Sequence, residues 1–368
     1  MFSEEVLYSI ALRHCPLIGD LIFRKLVNEA GSAKEVWQLS ESGLKNIHGI
    51  GKKISQEIGK DEHLRFAEKE LQFCEKDNIK ILLRHQGELP SLLHECDDAP
   101  AILYQKGNYN SDLSPISIVG TRNMSSYGQL FIHQFLDAIK NEKVMTVSGL
   151  ALGVDTEVHE VSLQSEIPTV AVLAHGFHVI YPSKNRKLAE RILEQNGVLF
   201  TEFNSSHKPD RENFIQRNRI IAGISPATVI VETAFGGGSI STANFAQQYN
   251  REVFALPGRI SDKYSQGCNQ LIMQNKAATI STVSALAEQL GFAENKKQPS
   301  LFSEIKPQKE LPENQNKVLN VLDKSVPISL DEIAEKLGIS TYKVLPDLLE
   351  LEISGYIKTL SGRQYLAL

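Results

Sequence analysis

From Ile116 to about Ile280 the chain repeats one pattern: a short apolar run, a loop bearing Gly or Arg, then apolar residues at helical spacing. The runs are Ile116-Ser-Ile-Val-Gly120, Val144-Met-Thr-Val-Ser148, Thr169-Val-Ala-Val-Leu173, 197–201, 227–231 and 252–256. Helical patterns start near Ser125, Val154 and Lys184 and cover 212–223 and 240–249. The last of these is expected to open on Ser239 or Ser241, both good capping residues. β-Branched runs of four to six residues alternating with helices predict a parallel sheet covered on both faces. In such sheets ligands gather at the carboxyl ends of the strands. Two earlier runs, Ile79-Lys-Ile-Leu-Leu83 and Ala101-Ile-Leu-Tyr104, either extend that sheet or link it to the segment before it.

The flanks follow other patterns. Residues 1–70 read as short helices, and Leu44 to Ile54 resembles a helix-hairpin-helix, with Gly49 and Gly51 flanking an apolar residue. Glycines there let the backbone approach a phosphate, so Gly49, Gly51 and Lys52 are candidate duplex contacts. A tight turn between packed helices explains the same residues, and Lys52 and Lys53 tilt the balance towards DNA. Pro16-Leu-Ile-Gly19 reads as a degenerate first copy. The stretch 293–315 is polar and proline-bearing, a linker by composition. Residues 316–368 pattern as a winged helix. Ser329-Leu-Asp-Glu332 is a capping box, and Leu330, Ile333, Ala334 and Leu337 share one face. A second helical pattern runs through Val344, Leu348, Leu349 and Leu351, and a hairpin closes the tail. That second helix would ordinarily read DNA. It sets Lys343 against Asp347, Glu350 and Glu352, and Pro346 is expected to interrupt it. An acidic helix repels phosphate, which favours a protein contact or a role in tuning a dimer.

Composition narrows the picture. The 368 residues suffice for two or three domains, and 42% hydrophobic with 23% charged residues is ordinary for a soluble globular chain. The net charge of −5 confines any nucleic-acid site to a local basic patch. Cys15, Cys74, Cys96 and Cys268 are widely spaced, which argues against a disulfide framework or zinc site and for a reducing compartment. The start lacks a basic leader with an apolar core, and no apolar run reaches membrane-spanning length. The expectation is a soluble cytoplasmic protein without a membrane partner.

The strand-end loops carry the candidate chemistry. Gly120-Thr121-Arg122 joins a small residue, a hydroxyl and a guanidinium; Ser148-Gly149, Gly153-Val-Asp155 and Gly236-Gly237-Gly238-Ser239 supply bends and helix starts. Each is a sensible phosphate cradle, and several in one sheet point to a phosphate-bearing ligand. Between Pro209 and Arg219, Arg211, Arg217 and Arg219 can fork onto phosphates around Asn218, and Phe214 is either a stacking face for a base or core. Lys184 and Asn185, at another helix start, could add a cation to the same mouth, whereas Lys187 reads as a solvated face. The dinucleotide fingerprint, the P-loop and the nucleophile elbow are absent. His175 and His178 read as a plain loop rather than a metal pair. Asp155 and His159 stand one turn apart, as an acid–base pair or, preferably, as a cap and a packing contact. No catalytic set, metal site or cofactor site emerges, and the expectation is that the protein is not an enzyme.

With these residues assembled, the chain resembles DNA-processing protein A, the DprA/Smf family. The resemblance rests on Ile118-Val-Gly-Thr-Arg122, the segment from Ser148 to Asp155 with His159, and Tyr181-Pro. It also rests on Arg217 to Ser225, Glu232-Thr through Ala243, and Phe254-Ala-Leu-Pro-Gly258. It implies an α/β fold with an extended Rossmann-like parallel-sheet core over 79–290, an N-terminal helix-hairpin-helix or SAM-like domain and a C-terminal winged helix. It further implies a homodimer that binds and protects incoming single-stranded DNA without sequence preference and loads the recombinase RecA onto it in natural transformation. Arg122, Arg211, Phe214, Arg217 and Arg219 would line the DNA pocket, with Gly149, Gly153 and Gly236 to Gly238 shaping it. Ile215 stands where a proline is expected, and His175 where a small residue is more usual. The alternative is a nucleotide-hydrolysing enzyme of the phosphoribohydrolase kind, against which the glycine loop lacks the needed acid; a third reading is a pure protein scaffold.

Overall fold

Nine strands form one sheet: β1 (Ile79–Leu83), β2 (Ile102–Gly107), β3 (Ser114–Val119), β4 (Val144–Ser148), β5 (Thr169–Val172), β6 (Val198–Thr201), β7 (Ala227–Ile230), β8 (Glu252–Ala255) and β9 (Ala278–Thr279). They lie in the order β1-β2-β6-β5-β4-β3-β7-β8-β9. The computed structural model describes residues 2–292, 311–324, 326–360 and 362–368. Pairing is parallel from β6 through β9, whereas β2 runs antiparallel to both β1 and β6. The two early apolar runs therefore extend the sheet as an antiparallel edge.

Side-chain alternation divides the sheet into two cores. Ile116, Ile118, Val144 and Val229 pack on one face against Phe131, Phe135 and Leu136 of the helix Ser126–Ile139 and Val154 and Val158 of the helix Val154–Gln164. Val119, Val147, Val170 and Ile230 pack on the other against Ile220, Ile221 and Ile224 of Arg211–Ile224 and Ala243 and Ala246 of Gly238–Gln248. Because both faces are covered, every residue of β4, β5, β6 and β7 is buried, which is why these strands read as unbroken apolar runs.

The helical front shares a core with the sheet edge. Leu12, Phe23, Leu26 and Leu44 cluster with Ile79, Ile81, Leu83, Ile102 and Tyr104. The helix Asp61–Lys76 runs past residue 70 towards β1, and the buried Glu70 accepts from the Ser205 backbone N–H at 2.7 Å. The described residues 2–292 accordingly belong to one compact unit. In the hairpin, Gly49 takes φ +84° and Gly51 caps the single turn Lys52–Ser55, with Lys52 exposed. At Pro16-Leu-Ile-Gly19 the following helix opens on Asp20, which accepts from Arg13 Nε at 3.2 Å. An acid fixed at that helix start opposes a phosphate there. All four cysteines are buried free thiols.

The C-terminal unit has its own core of Val318, Ile333, Val344, Leu348, Leu351, Ile357 and Tyr365. Helices Glu313–Val321, Leu330–Leu337 and Thr341–Ile353 pack with a small antiparallel sheet of β10 (Ile328–Ser329), β11 (Ile357–Leu360) and β12 (Gln364–Ala367). The Ser329–Glu332 capping box is formed in both directions. Pro346 departs from expectation, for the helix runs through it unbroken. Proline removes one N–H, which frees the carbonyl four residues back, that of Tyr342, a residue 70% exposed to solvent. Of the expected linker 293–315, residues 293–310 lie outside the described residues, and a helix has already begun by Glu313. No helix among the described residues is long and apolar enough to cross a membrane.

Candidate nucleic-acid interface

β3 lies between β4 and β7, so successive strands run outward from it in opposite directions. That reversal opens a crevice at the carboxyl ends of β3 and β7. The loops there are interlocked. The Thr121 N–H donates to the Glu232 carbonyl at 2.6 Å, and the Val154 N–H donates to the Thr121 carbonyl at 3.1 Å. A Cβ at Gly120 would stand 2.6 Å from Val154 Cγ2, and one at Gly153, where φ is +78°, would stand 2.4 Å from the Thr121 carbonyl oxygen. Only glycine allows so close an approach. The Glu232 carboxylate accepts from the Ser125 N–H at 2.8 Å and from its hydroxyl. Arg122 is held exposed at the turn of this clamped loop.

The helix Arg211–Ile224, capped by Asp210, ties three loops together. Phe214, Arg217 and Asn218 fall on one face at i, i+3 and i+4. Arg217 is buried, and its guanidinium donates to the carbonyls of Gly149, at 2.7 Å, and Val172. A Cβ at Gly149 would come within 2.5 Å of Arg217 Nη2, so the glycine makes room for the arginine. Burial lowers the Arg217 pKa to about 10, opposed by the nearby Asp155, and it stays charged at neutral pH. Burial raises the Asp155 pKa, with Arg217 opposing. Asn218 Nδ2 donates to Ser241 Oγ at 3.0 Å and to the Gly238 carbonyl at 3.3 Å. The half-buried Phe214 ring has Arg122 Cζ 5.4 Å from its centroid and the exposed Tyr181 ring 5.7 Å away.

The glycine loop completes the rim. Gly236 takes φ +67°, and the helix Gly238–Gln248 is capped by Gly237. That helix opens earlier than its serines suggest: Ser239 lies inside the first turn, and Ser241 Oγ turns back to the Gly238 carbonyl at 2.6 Å. Ser239 Oγ is buried without a partner among the described residues, beside opening N–H groups that have no carbonyl in the helix to bond.

The candidate residues thus separate into two groups. Arg122, Lys184 and Arg211 are exposed cations, Phe214 is half-buried beside Arg122, and Gly236 and Gly238 are exposed at the opening of the helix Gly238–Gln248, with Ser239 buried in its first turn. The others hold the scaffold. Ser148 donates to the Ile118 carbonyl at 2.7 Å, Thr121 Oγ1 accepts from the Asn123 N–H at 3.1 Å, and Asn185 Nδ2 donates to the Leu150 carbonyl at 2.8 Å. Arg217 and Arg219 depart from the expectation that both face a ligand. Arg219 is buried, 2.5 Å from Glu202 and 3.3 Å from Asp20, and donates to the Asp98 carbonyl. Asp155 and His159 are buried separately: Asp155 accepts from the Ala151 N–H at 3.3 Å, and His159 Nδ1 meets Thr169 Oγ1 at 2.7 Å. Both nitrogens of His175 are taken by backbone, at 2.9 Å from the Gly176 carbonyl and 3.1 Å from the Tyr181 N–H, so its role is to pin the Tyr181 loop. Sequence reasoning used Tyr181 and the stretch to Gly258 as motif positions but placed neither Tyr181 nor the rest of the loop after β8 in the site. There Tyr264 Oη accepts from Asn123 Nδ2 at 3.0 Å, and Arg259 and Lys263 are exposed. The signal for that loop was its place after a parallel strand beside the crevice.

Comparison with known proteins gives a consistent result. The sequence model of the DNA recombination-mediator protein A family matches residues 80–291, and that of the DprA winged helix domain matches 304–363. Protein Smf of Escherichia coli is 33% identical over 80% of this chain and 79% of its own length. The DNA processing protein DprA of Streptococcus pneumoniae is 32% identical over 69% of this chain and 97% of its own. Its X-ray structure aligns with a TM-score of 0.65 at 28% identity, covering 78% of this chain and 98% of that one. A Helicobacter pylori DNA processing protein A, whose structure concerns its single-stranded DNA binding mode, aligns with a TM-score of 0.52 at 26% identity over 58% of this chain and 95% of that one. With a family match across more than half its length and a strand-end site built on the motifs that first suggested it, this chain belongs to the DNA-processing protein A (DprA/Smf) family.

Proposed function

We propose that the crevice at the ends of β3 and β7 binds single-stranded DNA without sequence preference, protects it, and presents it to the recombinase RecA during natural transformation in the cytoplasm, the protein acting as a homodimer. The observation that carries the reading is Arg122, an exposed cation 5.4 Å from the centre of a ring that a second aromatic flanks. A guanidinium beside an aromatic platform suits a phosphate next to a base, and stacking tolerates any base. The exposed Gly236 and Gly238 at the opening of the helix Gly238–Gln248 offer backbone N–H groups for a second phosphate contact. The single-stranded DNA binding of the Helicobacter pylori relative supports the same reading. Against hydrolysis stands Glu232: the acid nearest the glycine loop is buried and has both carboxylate oxygens on Ser125, so it is not free to activate water.

The test is fluorescence anisotropy of a labelled oligothymidine at several salt concentrations, with duplex and ATP as competitors. Tight, salt-sensitive binding that neither competitor displaces is expected. Displacement by ATP, or no binding, would move the assignment to a nucleotide enzyme. RecA loading is then read as filament formation on strands pre-coated with single-strand-binding protein, which this chain is expected to accelerate.

A further inference from the structure

The helix Thr341–Ile353 of the C-terminal unit carries two apolar rows. Val344, Leu348 and Leu351 are buried in the core of that unit. Away from it, Tyr342 is 70% exposed, Leu345 45%, Leu349 57% and Ile353 76%. Steps of three and four residues keep these four in one line over three turns. A single large apolar side chain at a surface is ordinary, but a continuous row is not. This is the helix that in a winged helix would enter a DNA groove, yet it offers Lys343 against Asp347, Glu350 and Glu352. Its occupant is therefore not a polyanion.

We propose that this row is a self-association surface, on which the same helix of a second copy packs antiparallel about a two-fold axis near Asp347. The sequence is complementary to its own reversal. About that axis Tyr342 falls level with Ile353 of the other copy, and Leu345 with Leu349, so each apolar residue meets an apolar residue. Lys343 and Glu350 lie seven residues apart on the same flank of the row, and in an antiparallel pair like flanks face each other. Lys343 of each copy then stands beside Glu350 of the other, twice by symmetry. Asp347 is half-buried, Glu350 also accepts from Gln315 Nε2, and Glu352, on the opposite flank, accepts from the Thr359 N–H at 3.2 Å. A parallel pair in register would instead set Lys343 level with Lys343 and Glu350 level with Glu350. A seam of three helical turns is smaller than a standard interface of roughly 1,200–2,000 Å². The contact is accordingly weak alone and gains strength beside a second one, such as a dimer through the core. It does not depend on the DNA reading.

The experiment is sedimentation equilibrium of the full chain over a range of concentrations, with far-UV circular dichroism and thermal unfolding as folding controls. The double variant Leu345→Glu/Leu349→Glu is expected to weaken one association step at least tenfold while its spectrum stays that of the parent. Lys343→Glu is expected to weaken the same step several-fold, and Lys343→Glu/Glu350→Lys to return it to the parent value. The return is specific to a second copy, because no other occupant changes its charge along with this chain. An unaltered mass distribution in a folded Leu345→Glu/Leu349→Glu protein overturns the proposal, as does a charge-exchanged variant no closer to the parent than Lys343→Glu. Should the glutamate pair fail to fold, the exchange at the two exposed charges decides the matter alone. Oligothymidine affinity of the same variants is expected to be unchanged, which separates this result from any failure of the DNA assignment.

Discussion

Arg122 and Arg217 both lie within 6 Å of the Phe214 ring centre, yet they predict opposite phenotypes. Arg122 is exposed, so Arg122→Ala is expected to leave thermal stability unchanged and to weaken oligothymidine binding roughly 10- to 100-fold, with a shallower salt slope. Unchanged affinity and slope would remove this residue from the site. Phe214→Ala is expected to weaken binding by about 1–3 kcal/mol with an unaltered salt slope, because stacking rather than charge is lost. His159 has a different consequence. It is buried, its Nε2 has no partner among the described residues, and burial lowers its pKa to about 3. The unfolded chain binds a proton at this position below about pH 6.5 while the folded chain does not, so stability falls as pH drops from 6.5 towards 3. Between pH 7 and pH 5 this group alone removes about 2 kcal/mol. Urea titrations of the parent and of His159→Gln at both pH values check it: the loss is expected to shrink by that amount in the variant.

At the scale of the element, the helix Arg211–Ile224 makes the site one object rather than four loops. Arg217→Met would leave Asp155 buried without its compensating charge and the Gly149 and Val172 carbonyls without a donor. A loss of about 3–5 kcal/mol in urea unfolding is expected, with DNA binding falling as a secondary effect. A stable Arg217→Met protein that has lost DNA affinity would instead make Arg217 a direct contact. This division was not legible in the sequence. Arg217 and Arg219 flank one asparagine and read alike, but residues two apart on a helix point to nearly opposite sides. One therefore entered the strand-end loops, and the other met Glu202 and an aspartate 199 residues away in the chain. The parallel strands were legible because burial on both faces leaves them few residue types. The glycines were legible as close approaches, though what approaches Gly149 proved to be the protein's own arginine. Pro346 misled for a local reason: it falls early in the helix, where the one hydrogen bond it removes is that of the exposed Tyr342, and the buried row Val344, Leu348 and Leu351 continues past it.

At the scale of the molecule, the helical front is part of the sheet's edge. Removing it would uncover Ile79, Ile81 and Tyr104 and deprive Arg219 of Asp20. A chain beginning at Ile79 is expected to be largely insoluble or to unfold at a clearly lower temperature, as solubility and thermal scans would show; a soluble chain with an unchanged midpoint would make the front a separate domain. The buried thiols add a clock to this picture. A thiol must lose its proton and meet solvent before it is alkylated, and burial denies both, raising the pKa of Cys15 and Cys268 to about 12 and that of Cys96 to about 11. Each therefore reacts only when its surroundings open, and its rate counts openings. Cys15 and Cys74 keep time for the helical front, Cys96 and Cys268 for the core beneath the strand-end site. Without any added label, the chain reports which of its parts breathes first.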